Sequence, residues 1–63
     1  MLAPQNSLVD DTAVEIFEAG GEWHVRIVEN GGEQVSSFVV ESFALAYAEG
    51  QCIRLGIDRI ARL

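Results

Sequence analysis

Few residues of this 63-residue chain have the chemistry to act on a substrate. His24 is the single histidine, Cys52 the single cysteine, and Ser36 and Ser37 are adjacent hydroxyls. A positioned histidine can act as general base, a thiolate or activated serine as nucleophile, and histidine with cysteine and carboxylates as a metal ligand set. The spacing completes none of these. His24 sits in an alternating run between Phe17 and Phe38, with Glu15 and Glu22 close and no nucleophile demonstrably in reach. It reads as a structural histidine stacked between aromatics. One histidine with scattered carboxylates is too few ligands for a specific metal. Cys52 falls in mid-helix, away from the helix N-terminus that would lower its pKa, and reads as packing. Ser36 and Ser37 lie on a strand, outside any nucleophile elbow. "AGGE" and "NGGE" are hairpin turns, since neither leads into a helix whose N-terminus could hold a phosphate. The expectation is a non-enzymatic chain with no cofactor and no metal.

Charge narrows the partners. The net charge is −6, and residues 1 to 40 carry seven acids against Arg26 alone. Residues 41 to 63 balance Glu41, Glu49 and Asp58 against Arg54, Arg59 and Arg62. An acidic surface repels phosphate backbones and anionic lipids, which argues against nucleic acid and membrane and leaves the arginine-bearing end as the one exception. The opening "MLAPQNSLVDD" has no basic segment followed by an apolar one, and no run is long enough to span a bilayer. With a lone thiol, this predicts a soluble cytoplasmic protein.

The elements that hold these residues follow from periodicity. Hydrophobic residues make up 49% of the chain and charged ones 22%, a globular composition. Residues 1 to 12, with Pro4, Leu8, Val9 and the pair Asp10-Asp11, show no period and read as a flexible N-terminal arm. "AVEIFEA", "EWHVRIVE" and "EQVSSFVV", separated by "GG" and "NGG", predict three strands in an antiparallel meander. A two-residue turn at Gly20 and Gly21 sets Ile16 opposite Val25 and Val14 opposite Ile27. A three-residue loop at Asn30, Gly31 and Gly32 sets Ile27 opposite Val35, Val25 opposite Ser37 and Trp23 opposite Val39. A two-residue loop there would face Ile27 with Gln34, so the longer loop is expected. The core face is then Val14, Ile16, Trp23, Val25, Ile27, Val35 and Val39, with Trp23 the largest contributor. The other face carries Phe17, His24 and Phe38 in one row and Glu15, Arg26 and Ser36 in the next, with Val28 and Val40 nearby.

After Val40 the period changes. Ser42 suits an N-cap, "FALAYAEGQCIRL" a helix, Arg54 its last turn and Gly56 the left-handed position beyond it. Leu45, Ala48, Cys52 and Leu55, with Ala44 beside them, form one apolar stripe. Phe43, Ala46, Tyr47, Gly50 and Ile53 form a second, about 150° away at roughly 100° per residue. Residues 57 to 63 read as a short C-terminal tail in which Asp58 caps a final turn and Ile57, Ile60 and Leu63 dock. The fold class is α+β: a βββα domain over residues 13 to 56, one helix on a three-stranded sheet.

The matching positions Trp23 and Val25, Ser36 to Val39, and Ala44, Ala48 and Leu55 resemble short bacterial proteins of domain-of-unknown-function families. These combine a "W-x-V" central strand, a "small-S-x-hydrophobic" third strand and an alanine-spaced helix. The resemblance covers roughly residues 14 to 56 and implies a fold and no activity. A chain this short, without disulfide or zinc, has a marginal core, and oligomerisation is the common remedy. The surplus apolar surface therefore points to a homodimeric protein-interaction module, docked or formed by exchanging helix or strand. The expected interface is Phe17, His24, Phe38, Val40, Phe43, Tyr47, Gly50 and Ile53. The alternative is a nucleic-acid-binding regulator using Arg26 on the outer sheet face and the C-terminal arginines.

Overall fold

Alternating Val, Ile and Phe residues suit a pleated surface with one buried face. In the computed structural model, which describes residues 12–63, the first such runs form β1 (Ala13–Ala19) and β2 (Glu22–Glu29). They are followed by β3 (Gly32–Phe38), a helix α1 (Glu41–Leu55) and a two-residue strand β4 (Ala61–Arg62). The expected arm, including Leu8 and Val9, lies outside the described residues except for Thr12. The sheet order is β3-β2-β1-β4, with α1 packed on one face. The architecture is α+β, three antiparallel strands followed by a helix, with one strand more than the sequence suggested.

The first hairpin has the expected register, Val14 opposite Ile27 and Ile16 opposite Val25. The second does not. Asn30 and Gly31 form a two-residue turn with φ of 54° and 80°, and Glu29 pairs with Gly32, Ile27 with Gln34, Val25 with Ser36 and Trp23 with Phe38. Positive φ at both central residues is the mark of the type I′ turn, whose twist matches the strands it joins, and Asn-Gly is its preferred sequence. Turn geometry overrides the apolar match between Ile27 and Val35. The loss is small because α1 lies chiefly over β1 and β2, so the edge strand β3 has little to bury. Val35 and Val39, expected in the core, are exposed instead. Phe38 moves to the helix side, and Val35 takes the place expected for Ser36 beside Arg26.

The core closes between Val14, Ile16, Val25 and Ile27 on the sheet and Ala44, Ala48 and Cys52 on the helix. Three small helix residues let the helix axis approach the pleated face, and the larger sheet residues fill the gap. Trp23, Phe38, Leu45, Tyr47, Leu55, Ile57 and Ile60 surround this centre, each only partly buried. Trp23, expected as the main core residue, is thus a rim residue.

Helix α1 starts two residues before the sequence suggested. Val40, not Ser42, holds the N-cap position, with no side-chain cap. Its carbonyl accepts the N–H groups of Phe43 and Ala44 at 3.1 and 3.2 Å, so Ser42 lies inside the first turn. Glu41 in that turn complements the positive end of the helix dipole. The C-terminus is as expected. Gly56 is left-handed at φ 74°, its N–H donates to the Ile53 carbonyl and that of Ile57 to the Cys52 carbonyl, a Schellman motif. The tail then runs back to the sheet. Ala61 and Arg62 pair in parallel with Glu15 and Ile16, and the Leu63 N–H donates to the Ile16 carbonyl at 3.0 Å. Asp58 caps no turn, because residues 57 to 60 have no regular structure.

The register makes opposite demands on two aliphatic residues. Ile16→Ala is expected to destabilise the chain by about 2–5 kcal/mol, enough to unfold much of it, whereas Val35→Ala should stay within about 0.5 kcal/mol of the parent. Urea denaturation followed by Trp23 fluorescence measures both. A large loss at Val35 would restore the three-residue loop.

Candidate functional site

The residues expected to form one interface fall into three places. On the open face of the sheet, the register sets Phe17 opposite His24 and His24 opposite Ser37. The Phe17 and His24 rings stack at 5.2 Å between centroids and 17° between planes. His24 Nε2 lies 3.0 Å from the Ala19 carbonyl oxygen and Nδ1 lies 3.0 Å from Ser37 Oγ. A carbonyl only accepts, so in the neutral ring Nε2 carries the proton and Nδ1 accepts from the Ser37 hydroxyl. The sequence placed no nucleophile near His24, and the structure puts Ser37 there. The ring nitrogen that would orient a catalytic base is here bonded to a neutral carbonyl, not a carboxylate. Ser37 sits on the exposed edge strand, not in a cleft. This arrangement ties the three strands together and gives Ser37 little activation.

Phe38 and Tyr47 belong elsewhere. Phe38, opposite Trp23, packs its ring against Tyr47 at 5.3 Å between the sheet and α1. The expected row of Phe17, His24 and Phe38 is therefore broken, with Ser37 in the place of Phe38. The Asn-Gly dipeptide was the signal that would have placed both residues.

The third place is the back of α1. At roughly 100° per residue, Phe43, Ala46, Gly50 and Ile53 fall within an arc of about 80° centred opposite Ala44, Ala48 and Cys52. All four are exposed, Phe43 at 64% and Ile53 at 83%. Val39 and Val40, just before the helix, are exposed as well, Val39 at 78%. Val39 was missed because the expected register hid it in the core.

Most of the cations are neutralised. Arg26 Nη2 and Nε both reach Glu15 Oε1, at 2.5 and 2.6 Å, and Nη1 lies 3.5 Å from Glu33. The Glu15 hydrogen bond, aided by the charges of Glu15 and Glu33, holds the Arg26 guanidinium above its ordinary pKa. Arg54 bonds Glu29 at 3.2 Å and Gln51 at 2.9 Å, and Arg62 bonds Glu41 at 2.9 Å. Among the described residues only Arg59 has no ion pair. The outer sheet face thus presents one arginine between two glutamates, an acidic surface.

Beside the helix, Glu49, Cys52, Ile53, Ile57, Asp58 and Ile60 line an open groove of about 460 Å³. The Cys52 thiol points toward the Arg59 carbonyl, 3.8 Å away, as a weak donor. Burial, and then the carboxylates of Glu49 and Asp58, push its pKa up. Among the described residues no three His, Cys, Asp or Glu side chains stand close enough to share a metal, and no helix is long and apolar enough to cross a membrane. Comparison with protein-family models, curated proteins and solved structures gave no match.

A thiol held neutral has two measurable consequences. Cys52 should react with iodoacetamide at about pH 8 much more slowly in the folded chain than in urea. Because its folded pKa is raised, its contribution to stability is complete below the ordinary thiol value of about 8.5 and is lost as pH rises through the folded value. Cys52→Ala should remove that alkaline component from the urea midpoint measured against pH.

Proposed function

We infer that this chain is a non-enzymatic protein-interaction module that works as a homodimer. The observation that carries the reading is the apolar surface outside its own core: Phe43 and Ile53 on the back of α1, with Val39 and Val40 just before the helix. Leaving such residues in water costs association-prone surface that an isolated monomer has no use for. The small centre, seven buried residues among those described, gives a second reason to pair, since a second copy adds burial that one chain of this length does not reach. The lone buried thiol suits a reducing compartment, and we place the module in the cytoplasm.

The competing reading, nucleic-acid binding through the open sheet face and the C-terminal arginines, is disfavoured by the ion pairs. Arg26, Arg54 and Arg62 would each have to leave a carboxylate to reach a phosphate. A partner protein can dock on apolar surface without breaking any of them.

Light scattering after size exclusion, over about 10 to 500 μM chain, tests the reading. The mass is expected to rise to twice the 6.9 kDa of one chain within that range. A constant monomer mass, or salt-dependent affinity for DNA or RNA, would overturn it.

A further inference from the structure

We propose that two copies pair back to back through α1, antiparallel about a two-fold axis at the level of Ala48. Each Phe43 then lies beside the partner's Ile53, and each Ala46 beside the partner's Gly50. The proposal rests on the homodimer reading above and specifies its face, its direction and its docked, unexchanged form.

Gly50 supplies the first argument. It lies in mid-helix with ordinary helical φ, and a Cβ built on it would meet nothing within 4 Å. Nothing among the described residues requires a glycine there, yet it costs roughly 0.5–1 kcal/mol relative to alanine. A second backbone lying close against that position supplies the missing reason. Ala46, one turn earlier on the same face, extends the flat site.

The second argument is symmetry. A two-fold interface must be complementary to itself. Ala46 and Gly50 lie two positions either side of Ala48, and Phe43 and Ile53 five. Read in either direction, the face is large, small, small, large. Two helices crossing at the small pair diverge on both sides of it, and the large side chains fill the widening gap. Size alone suits a parallel pair too, and charge chooses between them. The antiparallel arrangement sets each positive helix N-terminus beside the partner's negative C-terminus. It also brings the two Glu49 carboxylates to the same side of the axis. That like-charge cost is screened by salt.

Area sets the strength. A helix of 15 residues is about 22 Å long, and its back offers on the order of 500 Å² per copy. A standard interface takes about 800 Å² from each partner, roughly a fifth of the 4277 Å² this chain exposes. The pair therefore lies at the lower edge of specific association, with a dissociation constant in the micromolar range. Because the back of α1 points away from the sheet, both sheets remain outermost and their open faces stay free for other partners.

Two variants, A46C and G50C, mixed in equal amounts and gently oxidised, test the geometry. Wild-type Cys52 is buried and leaves the oxidation to the introduced thiols. The expected product is the mixed 46–50 disulfide in excess over either symmetric one. In parallel, Gly50→Leu puts bulk at the crossing point and is expected to weaken dimerisation by at least about tenfold in light scattering, with no fall in the urea midpoint of the dilute monomer. Symmetric 46–46 disulfides in excess would overturn the antiparallel direction. A dimer of unchanged affinity in Gly50→Leu, without the mixed disulfide, would overturn this face and leave the interaction-module reading standing. A monomer at every concentration would remove both.

Discussion

The fold depends on the close contact between three small helix residues and four aliphatic strand residues. Ala44, Ala48 and Cys52 meet Val14, Ile16, Val25 and Ile27, and these are the buried hydrophobic residues of the described chain. Everything else is arranged around that contact. The hairpin registers decide which strand residues face it, the Schellman motif at Gly56 ends the helix where its small face ends, and Ile57 and Ile60 seal the side. A helix with large residues on this stripe would stand further from the sheet, and a chain of this length has no other side chains with which to fill the space.

Much of this was legible in the sequence because it is written in period and size. The alternation in "AVEIFEA" and "EWHVRIVE" marked both strands and the Gly20-Gly21 register, and spacing put Leu45, Ala48, Cys52 and Leu55, with Ala44 beside them, on one helix stripe, of which Ala44, Ala48 and Cys52 are buried. The second hairpin was misread because two signals conflicted. Side-chain matching favoured Val35 opposite Ile27, while Asn30-Gly31 favoured a two-residue turn, and at an edge strand with little to bury the turn decides. One residue of register moved Phe38 into the protein and Val39 out of it. β4 was illegible for a different reason. Two residues show no period, and Ala61 and Arg62 become a strand only because the end of α1 returns the chain to the edge of β1.

The candidate site was less legible than the fold. Spacing showed that α1 has two apolar faces, but not which was surplus, because that depends on where the sheet lies. Once Tyr47 is committed to Phe38, the surplus shrinks to Phe43, Ala46, Gly50 and Ile53. The open sheet face changed in the opposite sense. With Ser37 in place of Phe38 and Arg26 held between glutamates, it is more polar and more self-satisfied than its sequence pattern implied.

The two edges of the sheet differ in permanence. Among the described residues no strand pairs with the outer side of β3, whereas β1 is covered by β4 through two residue pairs. Those pairs join Glu15 to Ala61 and Ile16 to Arg62, the most distant partners in sequence that the sheet brings together. Closing so long a loop costs more entropy than closing a two-residue turn, and a two-residue ladder, the Leu63 N–H bond and the Arg62–Glu41 pair offset it. Such a contact forms after the hairpins and opens before them, at a free energy below that of global unfolding. The pairing of Ala61 and Arg62 therefore covers an edge of β1 that would otherwise present unpaired backbone groups to another strand.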